Sequence, residues 1–303
     1  MYNFLSGNEL QELCSREDKP IWEIMLLREM EYSEQTRDEL FELMKDNLDT
    51  MMHSVRKGLS EHLRSLSGLT GGDAQKLRRR YGMGHGFSGP QTLKAVAGAM
   101  AVLEVNASMG KIVAAPTAGS SGIIPGVLYA MRDERRLSDE TLVEGLYTAA
   151  AIGMLITVNA TVAGAEGGCQ AETGAAAAMA AAALVEMDGG TPQQALHGAA
   201  IALKNVMGLV CDPIAGLVES PCIKRNAIGA TNAMISADLA CSGITSLIPF
   251  DEVVETMQRV GRAMHPNLKE TARGGLAITP TGQRLAENVF SQTAGCDHSC
   301  GGC

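Results

Sequence analysis

Apolar residues in the first part of the chain fall at helical steps. Leu40, Met44, Leu48, Met51, Met52, Val55 and Leu59 recur mostly three or four positions apart, which predicts a helix with one apolar stripe. The whole of residues 1–65 reads as charged, amphipathic helices of this kind. A Gly-rich stretch follows, from Leu69-Thr-Gly-Gly-Asp73 to Gly82-Met-Gly-His-Gly-Phe-Ser-Gly-Pro90, and reads as loop and turn. From about residue 91 onward apolar helical segments succeed one another with almost no strand signal. Residues 175–183 are alanine except for Met179, a strong helix former whose lack of bulk lets neighbouring backbones come close. Beyond Gly189-Gly190, Thr191 reads as an N-cap, Pro192 as the first helical residue and Gln194 as the closing member of a capping box.

No fixed-period repeat and no alternation of strands and helices is visible, so the expected fold is all-α (mainly α), a large helical domain with Gly-rich loops around a site. The expected organisation is N-terminal amphipathic helices over 1–68, a helical catalytic core over 69–290 and a flexible Cys-rich tail over 291–303. The run from Gly145 to Ala165 carries no charge and is long enough to span a bilayer. It is interrupted by Gly153, Asn159 and Gly164 and has no Lys/Arg asymmetry at its flanks, which points to a buried core helix.

Composition supports tight helix packing. The hydrophobic fraction is 46% but aromatics make up only 4%, with 34 glycines and 17 methionines. A net charge of −9 disfavours a nucleic-acid or anionic-membrane surface. Eight cysteines are too few for a disulfide scaffold in a chain of 303 residues. The N-terminus shows no signal-peptide pattern, so a reducing cytoplasm is expected.

Three of the cysteines stand apart. Cys169 lies in Glu166-Gly-Gly-Cys-Gln, Cys211 in Val210-Cys-Asp-Pro and Cys222 in Ser220-Pro-Cys-Ile, each reading as the opening of a helix, where thiols become more acidic. They are 42 and 11 residues apart, which excludes a compact CxxC ribbon or a ferredoxin loop. Three thiolates with no evident fourth ligand suit a metal centre that leaves one position for substrate. Spacing alone is equally compatible with ordinary buried cysteines.

Two further stretches are candidates. In Ala115-Pro-Thr-Ala-Gly-Ser-Ser-Gly-Ile-Ile-Pro-Gly126, two prolines bracket a turn whose N–H groups and hydroxyls suit a carboxylate or phosphate, although a simple helix-breaking turn reads equally well. Lys224-Arg225-Asn226 offers a cation just beyond Cys222, either for a substrate carboxylate or as a solvated pair. The six histidines form no pair with Asp or Cys in the sequence, so no general base is identifiable and a partner chain is the expected source.

Taken together, the segments 69–74, Glu104-Val-Asn-Ala107, 115–122, Gly167-Gly-Cys-Gln-Ala-Glu172, Gly208-Leu-Val-Cys-Asp-Pro213 and Pro221-Cys-Ile-Lys-Arg-Asn-Ala227 resemble the α chain of the two-subunit, iron–sulfur-dependent bacterial L-serine dehydratases. The resemblance runs over roughly residues 20–290. It implies a [4Fe–4S] cluster on Cys169, Cys211 and Cys222, with one iron left as a Lewis acid for the serine hydroxyl, and products pyruvate and ammonia. It implies no pyridoxal phosphate. It also implies a β chain with an ACT-like region and the histidines that supply the base, and substrate contacts at Asn106, Thr117, Ala118, Gly119, Ser120, Ser121 and Lys224. The ending Cys296-Asp-His-Ser-Cys300-Gly-Gly-Cys303 departs from such α chains, and two readings stay open. Cys303 ligates the open iron, as terminal cysteines of single-chain relatives can, or the tail is a plain disordered end. The rival functions are a related lyase such as a cysteine desulfidase, a non-catalytic iron–sulfur sensor, and a zinc-binding structural protein.

Overall fold

A computed structural model describes residues 2–294; Cys296, Cys300 and Cys303 lie outside the described residues. Thirteen α-helices occur among them: α1 (Gly7–Glu17), α2 (Ile21–Ser33), α3 (Arg37–Ser60), α4 (Asp73–Gly82), α5 (Gly89–Ala107), α6 (Ile123–Arg135), α7 (Asp139–Asn159), α8 (Gly164–Gly167), α9 (Ala175–Met187), α10 (Pro192–Asn205), α11 (Cys222–Cys241), α12 (Phe250–Ala263) and α13 (Pro280–Ala294). The fold is all-α, and the one extended pairing among the described residues is a single bridge between Cys211 and Lys269.

Two helices act as hubs. α9 packs against α7, α10 and α11, and α5 packs against α3, α4, α6 and α11, so α11 touches both. Residues 175–183 are all buried, and, Met179 apart, side chains that end at Cβ let three neighbours close on α9 from different sides. α5 and α6 approach closely because Gly126 lies at their crossing: a Cβ there would stand 2.5 Å from the Ala99 amide nitrogen and 2.6 Å from the Ala95 carbonyl. In α3 the stripe residues Leu40, Leu48, Met51, Met52, Val55 and Leu59 are buried, each contributing about 1.5–3 kcal/mol. Met44 is partly buried against the same core.

α7 is long and apolar enough to cross a bilayer, but 67% of its most apolar window is buried in the protein. Its Gly145 and Gly153 accommodate Met187 and Met179 of α9. The helix ends at Asn159, whose side-chain amide donates to the carbonyls of Leu155 and Leu5.

Several helix starts are capped from a distance. The unpaired N–H groups of a first turn need acceptors. Thr36 with Glu39 and Thr191 with Gln194 supply them locally as capping boxes. In α2, where Pro20 offers no side-chain cap, Glu186 of α9 accepts from Ile21 N at 2.5 Å and Trp22 N at 3.1 Å. Asp251 of α12 does the same for Gly7 N and Asn8 N of α1, and Glu104 of α5 for Asp73 N and Ala74 N of α4.

Candidate metal centre

The three cysteine segments meet beside the start of α9. Cys169 precedes a π-helical turn, Gln170–Gly174, that leads directly into α9. Such turns recur at functional sites. Gln170 is fully buried and pins this turn: its Nε2 donates to Met257 O at 3.0 Å, and its Oε1 accepts Gly208 N at 2.8 Å. The second contact binds the Cys169 turn to the loop carrying Cys211. Cys211 is held in turn by its amide, which donates to Leu268 O, and by its carbonyl, which accepts Glu270 N, both at 2.8 Å. Cys222 opens α11.

Two of the helix starts differ from the sequence expectation. Asp212-Pro213 leads into a short 3₁₀ turn, Ile214–Gly216, because the Asp212 carboxylate is engaged elsewhere and caps nothing locally. Ser220 gives α11 no cap either: Pro221 holds that position and has no side chain to bond.

The Sγ atoms of Cys169 and Cys211 and a carboxylate oxygen of Glu172 lie within 4.8 Å of one another, all on buried residues. Cys222 is buried as well, but its sulfur does not join that group. Arg225, one turn into α11, donates to Cys169 Sγ at 3.4 Å and Val210 O at 2.9 Å through Nη1, and to Asp212 Oδ1 at 2.7 Å through Nη2. Asp212 Oδ2 accepts Leu276 N at 2.7 Å.

The electrostatics separate the three thiols. The Cys211 thiol donates to Cys169 and Arg225 stands beside it; against the opposing effect of burial, these hold Cys169 below the ordinary thiol value. Cys211 is correspondingly driven up by its bond to Cys169, by burial and by the negative charges of Cys169, Glu172 and Glu270. Burial first, then Cys169 and Glu172, push the Cys222 thiol up to about 12. Burial also raises Glu172, partly offset by the hydroxyl of Thr117. A pocket with three thiols, a carboxylate and one guanidinium cannot ionise its sulfurs together without a further cation. A bound metal deprotonates coordinating thiols outright, so this donor set fits a thiolate-held metal centre.

The segment 117–121 reaches the same point. Thr117 Oγ1 donates to Glu172 Oε1 at 2.7 Å and lies 3.3 Å from Ser120 Oγ. Ala118–Ser120 form a 3₁₀ turn, and a Cβ on Gly119 would come within 2.9 Å of Glu172 Oε1. Ser121 Oγ donates to Ala118 O at 2.8 Å. Fully buried Asn226 braces the turn against α11: Nδ2 donates to Gly119 O at 2.7 Å and Cys222 O at 3.0 Å, and Oδ1 accepts Gly122 N at 3.0 Å. Lys224 lies further out, 58% exposed and paired with Asp73 at 3.0 Å. Asn106 is half-buried in the last turn of α5, where its carbonyl accepts Met109 N. His197 accepts from Ser246 N, 49 residues on in the chain, and His265 accepts from Asn267 N.

Sequence reasoning singled out neither Glu172 nor Gln170, and it read the Asp212 carboxylate only as a helix cap. For Glu172 a signal existed: it stands three residues after Cys169, on one face of any helical turn.

The serine dehydratase alpha chain family model matches residues 16–277. The chain belongs to that family. It is 50% identical over 292 residues to the probable L-serine dehydratase alpha chain of Bacillus subtilis (strain 168), covering 96% of this chain and 97% of that one. It is 47% identical over 287 residues to the L-serine dehydratase alpha chain of Peptoniphilus asaccharolyticus, covering 95% and 98%. The L-serine dehydratase of Helicobacter pylori (strain ATCC 700392 / 26695) is 37% identical over 288 residues, which cover 92% of this chain but 62% of that longer protein.

Proposed function

We propose that this chain is the α subunit of a cytoplasmic L-serine dehydratase that converts L-serine to pyruvate and ammonia, with a [4Fe–4S] cluster held by Cys169, Cys211 and Cys222. The observation that carries the reading is the convergence of buried Cys169, Cys211 and Glu172 within 4.8 Å, in a chain about half identical to L-serine dehydratase alpha chains. When bound, such a cluster supplies Lewis acidity toward a hydroxyl that must leave.

The chain's own residues do the rest. Thr117, Ala118, Gly119, Ser120 and Ser121 present hydroxyls and a tight turn beside the sulfurs, suited to a substrate carboxylate. Asn226 holds that turn in register with Cys222, so carboxylate and hydroxyl of one small amino acid can be met together. Asn106 and Lys224 are assigned outer contacts. Arg225 sets its positive charge against the thiolates. The β chain supplies the base, and Cys303, which lies outside the described residues, is assigned as a further ligand of the cluster.

Anaerobic purification with and without a candidate β chain, followed by iron, acid-labile sulfide and pyruvate assays, tests the reading. Iron and sulfide in equal amounts, with pyruvate formed from serine only when the partner is present, is the expected result. Retention of activity by C169S, C211S or C222S would sink it, and faster turnover of cysteine than serine would replace it with a desulfidase. The compact Cys169–Glu172–Cys211 group also suits a single zinc ion, and zinc without sulfide would select that reading. Deleting residues 296–303 should lower the serine KM; an unchanged value refutes the role of the tail.

A further inference from the structure

The thiols of Cys169 and Cys211 arrive from segments 42 residues apart, and one side chain joins both to the helix of Cys222. Arg225 sits three residues after Cys222 and reaches three acceptors lying in different directions: Cys169 Sγ, Val210 O beside Cys211, and Asp212 Oδ1 beyond it. The Arg225–Asp212 pair is nearly closed to solvent, with side-chain exposures of 11% and 4%. The second oxygen of Asp212 is taken by Leu276 N, and Gly275, at φ +58, leaves no room for a Cβ, which would lie 2.2 Å from that oxygen. The guanidinium is therefore aimed by a carboxylate that is itself fixed. Only arginine carries donors in a planar fork wide enough for these three acceptors; a lysine ammonium can meet one or two.

We propose that Arg225, set by Asp212, is a positioning residue of the metal centre: it fixes the Cys169 and Cys211 segments relative to Cys222 and donates an N–H···S hydrogen bond to the Cys169 sulfur. The inference rests on the reading that these cysteines hold an iron–sulfur cluster. A charged donor on a ligand sulfur stabilises the more negative, reduced cluster, so losing it moves the reduction potential in the negative direction. A role confined to folding has no such signature.

The test uses the full chain with its partner, purified anaerobically, as wild type, R225K, R225Q and D212N. Iron and sulfide per chain, the midpoint potential of the bound cluster by EPR-monitored titration, and urea unfolding are measured for each. R225Q should lose at least half of its iron and sulfide, and the cluster that remains should have a more negative midpoint. R225K should lie between R225Q and wild type in loading, since it keeps the charge without the fork. D212N should shift the midpoint in the same direction as R225Q by a smaller amount. Wild-type loading and midpoint in R225Q overturn the inference. So does a loss of urea stability and loading with no change in the midpoint of the loaded fraction. If R225Q does not fold, R225K and D212N carry the same judgement: wild-type values in both overturn it. A wild-type protein that holds no iron–sulfur cluster overturns the functional reading, and this inference with it, before any variant is made.

Discussion

Asn226→Ala removes the brace between the cysteine helix and the turn at 117–121. The side chain is fully buried and makes three hydrogen bonds. Cys222 O keeps its place in the α11 ladder, so its loss costs little. Gly122 N and Gly119 O lose the amide that pairs them inside the protein. Leaving a buried polar group unpaired costs about 1–3 kcal/mol, so two such groups together with the small cavity give roughly 3 kcal/mol of destabilisation. Urea unfolding measures that loss. Asn232→Ala is the matched control: Asn232 is also a buried amide of α11, donating to Ala202 O at 2.7 Å and accepting from Asn205 at 2.9 Å, but it braces α10 and not the turn. Both variants should be destabilised by comparable amounts. Only N226A should also raise the serine KM severalfold, since only there does the turn lose its register with Cys222. Equal KM values in the two variants, or an N226A protein as stable as wild type, would refute the reasoning.

Gly126→Ala should destabilise by about 1–3 kcal/mol in urea unfolding, because the three atoms its Cβ would strike all belong to the α5 backbone and the helices must separate. Gly275→Ala places a side chain at φ +58 and against Asp212, so iron content after anaerobic purification should fall while the helical circular dichroism stays as in wild type. Glu104 is buried with Oε2 unpartnered, and burial raises its carboxyl above the usual range. A raised acid binds more protons folded than unfolded, so its contribution to stability is full at low pH and falls as pH climbs from the ordinary carboxylate value through the raised one. Glu104→Gln keeps an acceptor for Asp73 N and cannot ionise. Its stability relative to wild type should therefore increase with pH across that window in urea titrations; a constant difference contradicts the burial argument.

Much of the scaffold was legible because its causes are local. The three- and four-residue steps of α3, the Ala run of α9 and the Thr191–Gln194 box each lie within one element, and each appears where the pattern puts it. The caps supplied by Glu186, Asp251 and Glu104 were not legible, since each acts at a helix start at least 30 residues away. Asp212-Pro213 shows the same limit in reverse. The pair is a good local N-cap signal, yet an arginine 13 residues on and the amide of Leu276 compete successfully for the carboxylate. The cysteines were identifiable as residues of interest, but their spacing did not separate a metal centre from buried thiols. That decision came from resemblance, and the convergence of Cys169, Cys211 and Glu172 gives it a physical basis.

The charge inside the pocket carries the argument one step further. Arg225 is already matched by Asp212, so Glu172 and any ionised sulfur stand without a full countercharge. The hydrogen bond to Cys169 and burial raise the Cys211 thiol, and burial with the charges of Cys169 and Glu172 raises that of Cys222, so both favour the protonated form. Thiols that coordinate a metal must lose those protons, so metal binding at this site would release protons and be favoured as pH rises. The cysteine segments are held by neutral contacts, Gln170 to Gly208 and Met257, Cys211 to Leu268 and Glu270, Asn226 to Gly119 and Gly122. All of these contacts are between uncharged groups, so they orient the cysteine segments without adding charge to the pocket.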